Sequence, residues 1–189
     1  MTLHRWSIDP AHSQIGFHVR HLMISNVHGR FDKWDGTIEL DPDHPTQSRV
    51  RIAIDAASID TREPRRDAHL RSAEFLDVAT HVAIVFEASE IDRLTLDDYE
   101  VAGNLTIRGI TRRVILDVSR SQVIVDHDGR QRVGFVVAGT ISRKDFCLMW
   151  NVVLETGGLM IGDTVTISAE LEAIRMPDSR QVPDPESAK

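Results

Sequence analysis

Nine histidines and a single cysteine are the most chemically versatile residues of this 189-residue chain. His18 and His21 lie three apart, but His18 belongs to an alternating stretch and faces away from its apolar residues. His21 stands where that alternation breaks into a bend. With no HExxH and no Cys/His set at zinc spacing, structural or solvent-exposed histidines are the expectation, and no metal is called for. Asp9, His12 and Ser13 resemble a hydrolytic triad by composition alone. Neighbours on a strand point to opposite faces, so His12 is badly placed to serve Ser13 as a base, and no GxSxG elbow is present. The segment DPAHS reads instead as a turn in which Asp9 and Ser13 bond nearby backbone groups. Cys147, in KDFCLMW, is read as a small apolar filler. Gly157, Gly158 and Gly162 precede no GK[ST] and are expected to shape a loop over one end of the fold.

Charge narrows the functional classes. A net charge of −7 argues against a general binder of nucleic acid or anionic membrane, since such proteins concentrate Lys and Arg against phosphates. The one basic cluster, TREPRRDAHLR at 61–71, also carries Glu63 and Asp67 and reads as a solvated helical face. A lone cysteine allows no internal disulfide, which suits a reducing compartment. The first residues, MTLHRWSIDPAHS, contain no apolar run of signal-peptide length, and no segment is long enough to span a bilayer as a helix. The expectation is a cytoplasmic protein without stable membrane insertion.

The elements that must position any site are strands. Ile15, Phe17 and Val19 alternate with Gln14, Gly16, His18 and Arg20, the period-2 pattern of a strand with one apolar face. Trp6 to Asp9 opens the sheet and Pro10 ends that segment. Asn26 to Asp41 alternates through Phe31, Trp34, Ile38 and Leu40, followed by the turn-rich DPDHPTQS. Further alternation runs through Val50, Ile52 and Ile54; through Val82, Ile84 and Phe86; and from Tyr99 through Leu105 to Ile107. Val114, Leu116 and Val118 follow, then an Asp128-Gly129 hairpin turn before Phe135, Val137, Gly139 and Ile141. The last strand is expected from about Thr164 to Ala173. One stretch, Pro64 to Leu76, reads as helical, with an Asp67–Arg71 pair at i,i+4 spacing. Residues 1–175 read as one domain and 176–189 as a polar, disordered tail.

About eight antiparallel strands must hide their edges, and closure into a barrel does so completely. A barrel of that size holds packed side chains or one small ligand, and the inward candidates Gly103, Gly139 and Ala169 would leave room. A packed sandwich satisfies the alternation equally well. His21, Arg143, Trp150 and Asn151, near strand ends, are the polar residues to watch. An apolar interior with few polar groups suits binding an apolar molecule, at about 0.8 kcal/mol per buried methylene.

Several segments resemble the YceI-like family: HSQIGFHVRHLMISNVHGRF at 12–31, DAHLRSAEFLD at 67–77 and YEVAGNLTIRGITRRVILDV at 99–118. RVGFVVAGTISRKDFCLMWN at 132–151 and LETGGLMIGDTVTISAELEA at 154–173 add to the likeness, which runs from Trp6 to about Ala173. The resemblance implies an extended, lipocalin-like antiparallel barrel, with one short helical segment, that holds a long isoprenoid chain and has no established enzymatic activity. It is compatible with a homodimer. Phe17, Val19, His21, Phe31, Phe75, Phe86 and Phe146 are carried over by position, their contact with ligand being read from alternation and placement. The chain departs from the family where Leu76 replaces a second aromatic, near His81 where a proline is usual, and at Cys147 where glycine is usual. Many relatives carry a secretory signal, so a periplasmic role does not transfer.

The resulting expectation is a barrel that binds or carries an isoprenoid lipid, either a polyprenyl phosphate or a prenylated quinone as cargo, with no other cofactor. Met23, Ile52, Ile54 and Leu105 join the carried-over positions as apolar lining. His21 and Arg143, with Trp150 and Asn151, would meet the head group. Two rivals stand beside it: an enzyme acting on a lipid-like substrate in the same cavity, which needs a converging titratable pair, and a filled-barrel, stress-related interaction protein.

Overall fold

The structure, a computed structural model, describes residues 3–41, 44–153 and 160–177. Its strands are β1 (His4–Ile8), β2 (Gln14–His21), β3 (Ser25–Phe31), β4 (Trp34–Leu40), β5 (Arg49–Asp55) and β6 (Ile59–Asp60). Helix α1 (Pro64–Arg71) is followed by β7 (Ala83–Arg93), β8 (Asp98–Ile107), β9 (Ile110–Arg120), β10 (Ile124–Val125), β11 (Gln131–Ser142) and β12 (Ile161–Arg175). Eight of them, in the order β11-β9-β8-β7-β5-β4-β1-β12, close into an antiparallel barrel through the β11–β12 ladder. Closure removes the open edges that a sheet of alternating strands would otherwise expose.

Strand β12 is long enough to serve two partners on one edge. It pairs with β2 from Ile161 to Glu170 and with β1 from Ala173 to Arg175. Strands β2, β3 and β6 therefore extend the wall beyond the eight-strand ring. The antiparallel registers define two ends. His4, Leu40, Tyr99, Arg120 and Arg175 lie toward one, the β1 end; His21, Ile107, Ser142 and Ile161 lie toward the other, which α1 adjoins.

The sequence expectations are met in outline and altered in detail. The run Asn26 to Asp41 is not one strand: it breaks after Phe31 into β3, which pairs with β2 and β6, and β4, which pairs with β1 and β5. The last strand reaches three residues earlier and two later than its apolar pattern, from Ile161 to Arg175, because strand pairing does not require apolar side chains. The helix stops at Arg71, since Ser72 is extended, and Phe75 and Leu76 lie in the turns beyond it. Asp67 and Arg71 do not pair. Asp67 is buried and accepts hydrogen bonds from the Thr61 N–H and hydroxyl, while Arg71 donates to the carbonyls of Ala57 and Ile59. The basic cluster is thus partly a brace between α1 and β6, not only a solvated face. Residues 157 and 158 and the tail beyond 177 lie outside the described residues.

Two buried clusters flank the barrel axis. Trp6, Ile38, Val133, Leu171 and Ala173 pack toward the β1 end, and Ala56, Ile59, Leu76, Ile107 and Phe146 toward the α1 end. Cys147 is exposed, contrary to the filler reading, and caps a 3-10 turn (Arg143–Phe146) with a left-handed φ of 56°. A position needing positive φ is one that glycine occupies without strain, in keeping with the glycine that the family resemblance leads one to expect there.

Candidate functional site

Between the clusters runs a cavity of about 640 Å³ with an overwhelmingly apolar wall. The inward phase of each strand builds it: Tyr99, Val101, Leu105 and Ile107 from β8, Val114, Leu116 and Val118 from β9, and Val165, Ile167, Ala169 and Leu171 from β12. On β12 the lining extends from Ile161 to Leu171, roughly 33 Å at about 3.3 Å per residue. The space is long and narrow, and it reaches both ends of the barrel.

Glycines keep the axis open, though not as the sequence suggests. Gly103 and Gly139 do not line the cavity. A Cβ on Gly103 would stand 2.6 Å from the Phe86 ring, and one on Gly139 2.5 Å from Leu116 Cδ2. Gly29 repeats the device, with a notional Cβ only 2.3 Å from Phe17 Cζ. Each glycine lets a large side chain on the neighbouring strand lie flat against the wall instead of projecting along the axis. Ala169, the third small residue, does face the cavity.

Eleven of the residues singled out in the sequence line this cavity: Phe17, Val19, His21 and Phe31 from the β2–β3 wall, Ile52, Ile54, Phe86 and Leu105 from the opposite wall, and Phe75, Arg143 and Trp150 at the α1 end. Three do not. Met23 is 66% exposed in the β2–β3 turn. Phe146 is buried within the cluster behind the wall. Asn151 ties the segment after the Arg143–Phe146 turn to β12, its Nδ2 donating to Ile161 O at 2.7 Å and its Oδ1 accepting from Ile161 N at 3.0 Å.

Arg143 lines the cavity with four of its five N–H groups engaged. Its guanidinium donates to the carbonyls of Gly162 (2.9 Å), Trp150 (2.9 Å) and Leu148, and to Asp163 Oδ1 (3.1 Å). It binds β11, the following segment and β12 into one unit. Asp163 is shared with Lys144, whose hydrogen bond holds the carboxyl below its ordinary range. Beside it, His69 of α1 makes edge-on contacts with Phe75 (5.0 Å) and Trp150 (4.6 Å), forming an aromatic cluster at this end.

The β1 end is different, and the sequence expectations do not include it. Trp6 is 4% exposed and Arg120 half-buried, both line the cavity, and neither Trp6 Nε1 nor Arg120 Nε has a hydrogen-bond partner among the described residues. Arg120 lies over the Tyr99 ring at 5.9 Å. A signal for it does exist in the sequence: Arg120 continues the inward phase of Val114, Leu116 and Val118, where a charge has no reason to stand unless something meets it. His4, Asp41 and Ser48 also line this end.

The other candidate chemistry resolves into scaffolding. Asp9, His12 and Glu172 offer ligand atoms within 4.8 Å of one another, but Arg132 donates to Asp9 at 3.1 Å and to Glu172. Arg132 also bonds Asp126 at 2.6 Å, holding that carboxyl far below the usual range. The His12 ring does the same, more mildly, for Asp9. Ser13 Oγ accepts from Glu172 N at 2.8 Å, a bond to a distant strand and not the local one expected, while Asp9 accepts from Ala11 N as expected. His18 stacks near His28 at 5.3 Å across the β2–β3 pair, away from the cavity. Among the described residues no helix is long and apolar enough to cross a membrane.

Comparison with known proteins agrees with this architecture. Residues 6–173 match the model of the YceI-like domain. A UPF0312 protein of Pectobacterium atrosepticum is 38% identical over 143 residues, covering 76% of this chain and 74% of its own. A UPF0312 protein of Staphylococcus aureus is 36% identical over 168 residues, covering 88% and 95%. Among solved structures, Burkholderia cenocepacia BcnA superposes with a TM-score of 0.75 at 23% identity, covering 87% of this chain and 98% of that one. The Campylobacter jejuni YCEI protein gives 0.71 at 26% identity, covering 84% and 90%. A polyisoprenoid binding domain from Saccharophagus degradans implicated in plant cell wall breakdown gives 0.65 at 18% identity, covering 90% and 98%. Barrel, helix and matched residues together place this chain in the YceI-like family.

Proposed function

We propose that the barrel binds a single isoprenoid lipid, its chain lying along the apolar cavity. The observation that carries this reading is the cavity itself: about 640 Å³, walled almost wholly by aliphatic and aromatic side chains along its length. Pockets of this volume commonly hold one drug-sized ligand, and a long narrow one favours a chain over a compact molecule. Burying hydrocarbon contributes about 0.8 kcal/mol per methylene, so a few isoprene units reach micromolar affinity without strong polar contacts. A structural relative is described as a polyisoprenoid binding domain, which supports the same class of ligand.

The head group of such a cargo, a quinone carbonyl or a phosphate oxygen, would be met at the β1 end. Buried donors without partners are costly, and an acceptor on the ligand would satisfy Trp6 Nε1 and Arg120 Nε. Arg143, which the sequence favours for that role, has four of its five N–H groups committed to the protein. Phe17, Val19, Phe31, Ile52, Ile54, Phe86 and Leu105 would contact the chain, and His21, Phe75 and Trp150 its far end. The reading is one of binding and carriage, not catalysis.

The test is native mass spectrometry of protein purified from its source organism, followed by organic extraction of whatever is released. A prenyl lipid near one per chain is the expected result and names the cargo. Protein that is empty and also refuses added polyprenyl lipid would sink the reading and favour a barrel closed to hydrocarbon.

A further inference from the structure

Both ends of the barrel expose apolar side chains, but the charges around them differ in sign. At the α1 end, β2 and β3 are joined through Leu22 and Met23, both with left-handed φ (51° and 58°), the turn being closed by Ile24 N donating to His21 O at 3.0 Å. A turn of this kind favours Asn and Gly, so two large apolar residues there are held under strain. They present Met23 and Ile24 at 66% and 77% exposure. The neighbouring segment adds exposed Met149, Val152 and Val153. Hydrogen bonds from Leu22 N to Met160 O and from Met160 N to Val152 O hold these tips side by side. His21, Trp150 and Met160, from the same segments, line the cavity, so the exposed tips border its mouth.

Two arginines share that border. Arg20 and Arg65 are exposed, line the cavity, and have no carboxylate partner among the described residues. Most acids nearby are engaged: Asp163 pairs with Lys144 and Arg143, Glu74 lies against His69, and Glu63 accepts from Arg65 N at the start of α1, while Asp145 in the Arg143–Phe146 turn is exposed with no ion pair among the described residues. At the β1 end the exposed Leu94 and Leu96 sit instead in a hairpin carrying Asp92, Asp97, Asp98 and Glu100 against Arg93 alone, and the exposed Val123, Ile124 and Val125 adjoin Asp126 and Asp128, which pair with Arg130 and Arg132. Apolar tips flanked by unpaired cations are the composition of a surface that enters the headgroup layer of an anionic bilayer; apolar tips among carboxylates are not.

We propose that the α1-end mouth docks on an anionic lipid bilayer, Met23, Ile24, Val152 and Val153 entering the headgroup layer while Arg20 and Arg65 meet lipid phosphates. This deepens the lipid-binding reading, on which the purpose of docking rests, by naming the surface from which cargo would be drawn. It is peripheral and reversible, in keeping with a net charge of −7 that keeps the rest of the molecule off the surface.

The experiment is sedimentation of the full chain with vesicles of phosphatidylcholine alone and of phosphatidylcholine with phosphatidylglycerol, at low and high salt. The protein is expected to pellet with the anionic vesicles and less so at high salt. The double variant Met23→Asp, Ile24→Asp should lose about tenfold or more of that association, since it removes inserting surface and adds repelling charge. Because both residues are exposed, its circular dichroism and its uptake of polyprenol delivered from detergent should match the parent. No pelleting with anionic vesicles, or parent-like pelleting of the double variant, overturns the proposal. A dimer that the same variant dissociates, seen by light scattering without vesicle binding, also overturns it and assigns the face to a second copy. Pelleting without polyprenol uptake would sink the cargo reading and leave docking standing; uptake without pelleting would do the reverse.

Discussion

Of the arginines that line the cavity, Arg143 at the α1 end and Arg120 at the β1 end have opposite circumstances. Arg143 at the α1 end is 3% exposed and surrounded by acceptors: three carbonyls and Asp163. Arg120 at the β1 end keeps an Nε without a partner among the described residues, and the Trp6 indole N–H at the same end is in the same state. A buried guanidinium with four of its five N–H groups engaged is part of the scaffold; one left short of acceptors, facing an apolar tunnel, is available to a ligand. Residue type and nearness to a pocket do not distinguish the two cases. The census of partners does.

Replacing both arginines by methionine tests that contrast most severely. Arg143→Met removes the donor that serves Gly162, Leu148, Trp150 and Asp163 at once, and should cost about 3–5 kcal/mol in urea unfolding. A cost below about 1 kcal/mol would mean that water takes over those acceptors and that Arg143 is no brace.

Next in size is a change to the wall. Gly29→Ala puts a methyl 2.3 Å from Phe17 Cζ, so the ring must swing toward the axis. We expect a loss of about 1–3 kcal/mol and a sharply reduced capacity for polyprenol. Unchanged uptake would show that the ring's position against the wall does not set the bore.

Arg120→Met and Trp6→Phe should behave in the reverse manner to Arg143→Met. Arg120→Met should shift stability by less than about 1 kcal/mol, including the lost contact with Tyr99, and Trp6→Phe should cost about 1–2 kcal/mol through lost packing in the buried cluster. Affinity for a prenyl lipid with an oxygen-bearing head should fall about tenfold, while that for a plain hydrocarbon of equal length stays. Equal losses for both ligands would remove the head group from this end.

The smallest effect concerns pH. The Arg132 hydrogen bond holds Asp126 well below the ordinary carboxylate range, and the Lys144 hydrogen bond lowers Asp163 at the other end. A carboxyl depressed in the folded state adds stability above its unfolded value of about 3.9, and that stability is lost as pH falls below it. The urea midpoint should therefore be flat near neutrality and drop below about pH 4, and Arg132→Met should shrink that drop more than Lys144→Met, because Arg132 clasps three carboxylates and Lys144 one. Equal slopes in the two variants would contradict the difference between the ends.

Much of this molecule is legible in its residue order. Period-2 alternation marks most of the long strands and the inward phase of β2, β8, β9 and β12, and so most of the lining from Phe17 to Leu105. Alternation reports which face a side chain takes, a local property of the pleat. The break between β3 and β4 is marked by a flip of phase that the one-strand reading overlooks, the apolar residues being odd-numbered through Val27 and Phe31 and even-numbered from Trp34 through Ile38 and Leu40, where the pairing partners also change. Phe146 and Met23 mislead because both are apolar and near the mouth, yet one faces the core behind the wall and the other solvent.

What the sequence determined alone is an alternating, antiparallel β architecture with one apolar face and a single short helix, since these follow from residue-by-residue preference and the need to bury that face. Only the tertiary structure decided that the interior stays hollow, that glycines hold Phe17, Phe86 and Leu116 against the wall, and that Arg143 is braced while Arg120 is not. Those outcomes depend on which distant backbone groups come within about 3 Å of one another, a quantity that strand closure sets and local sequence does not.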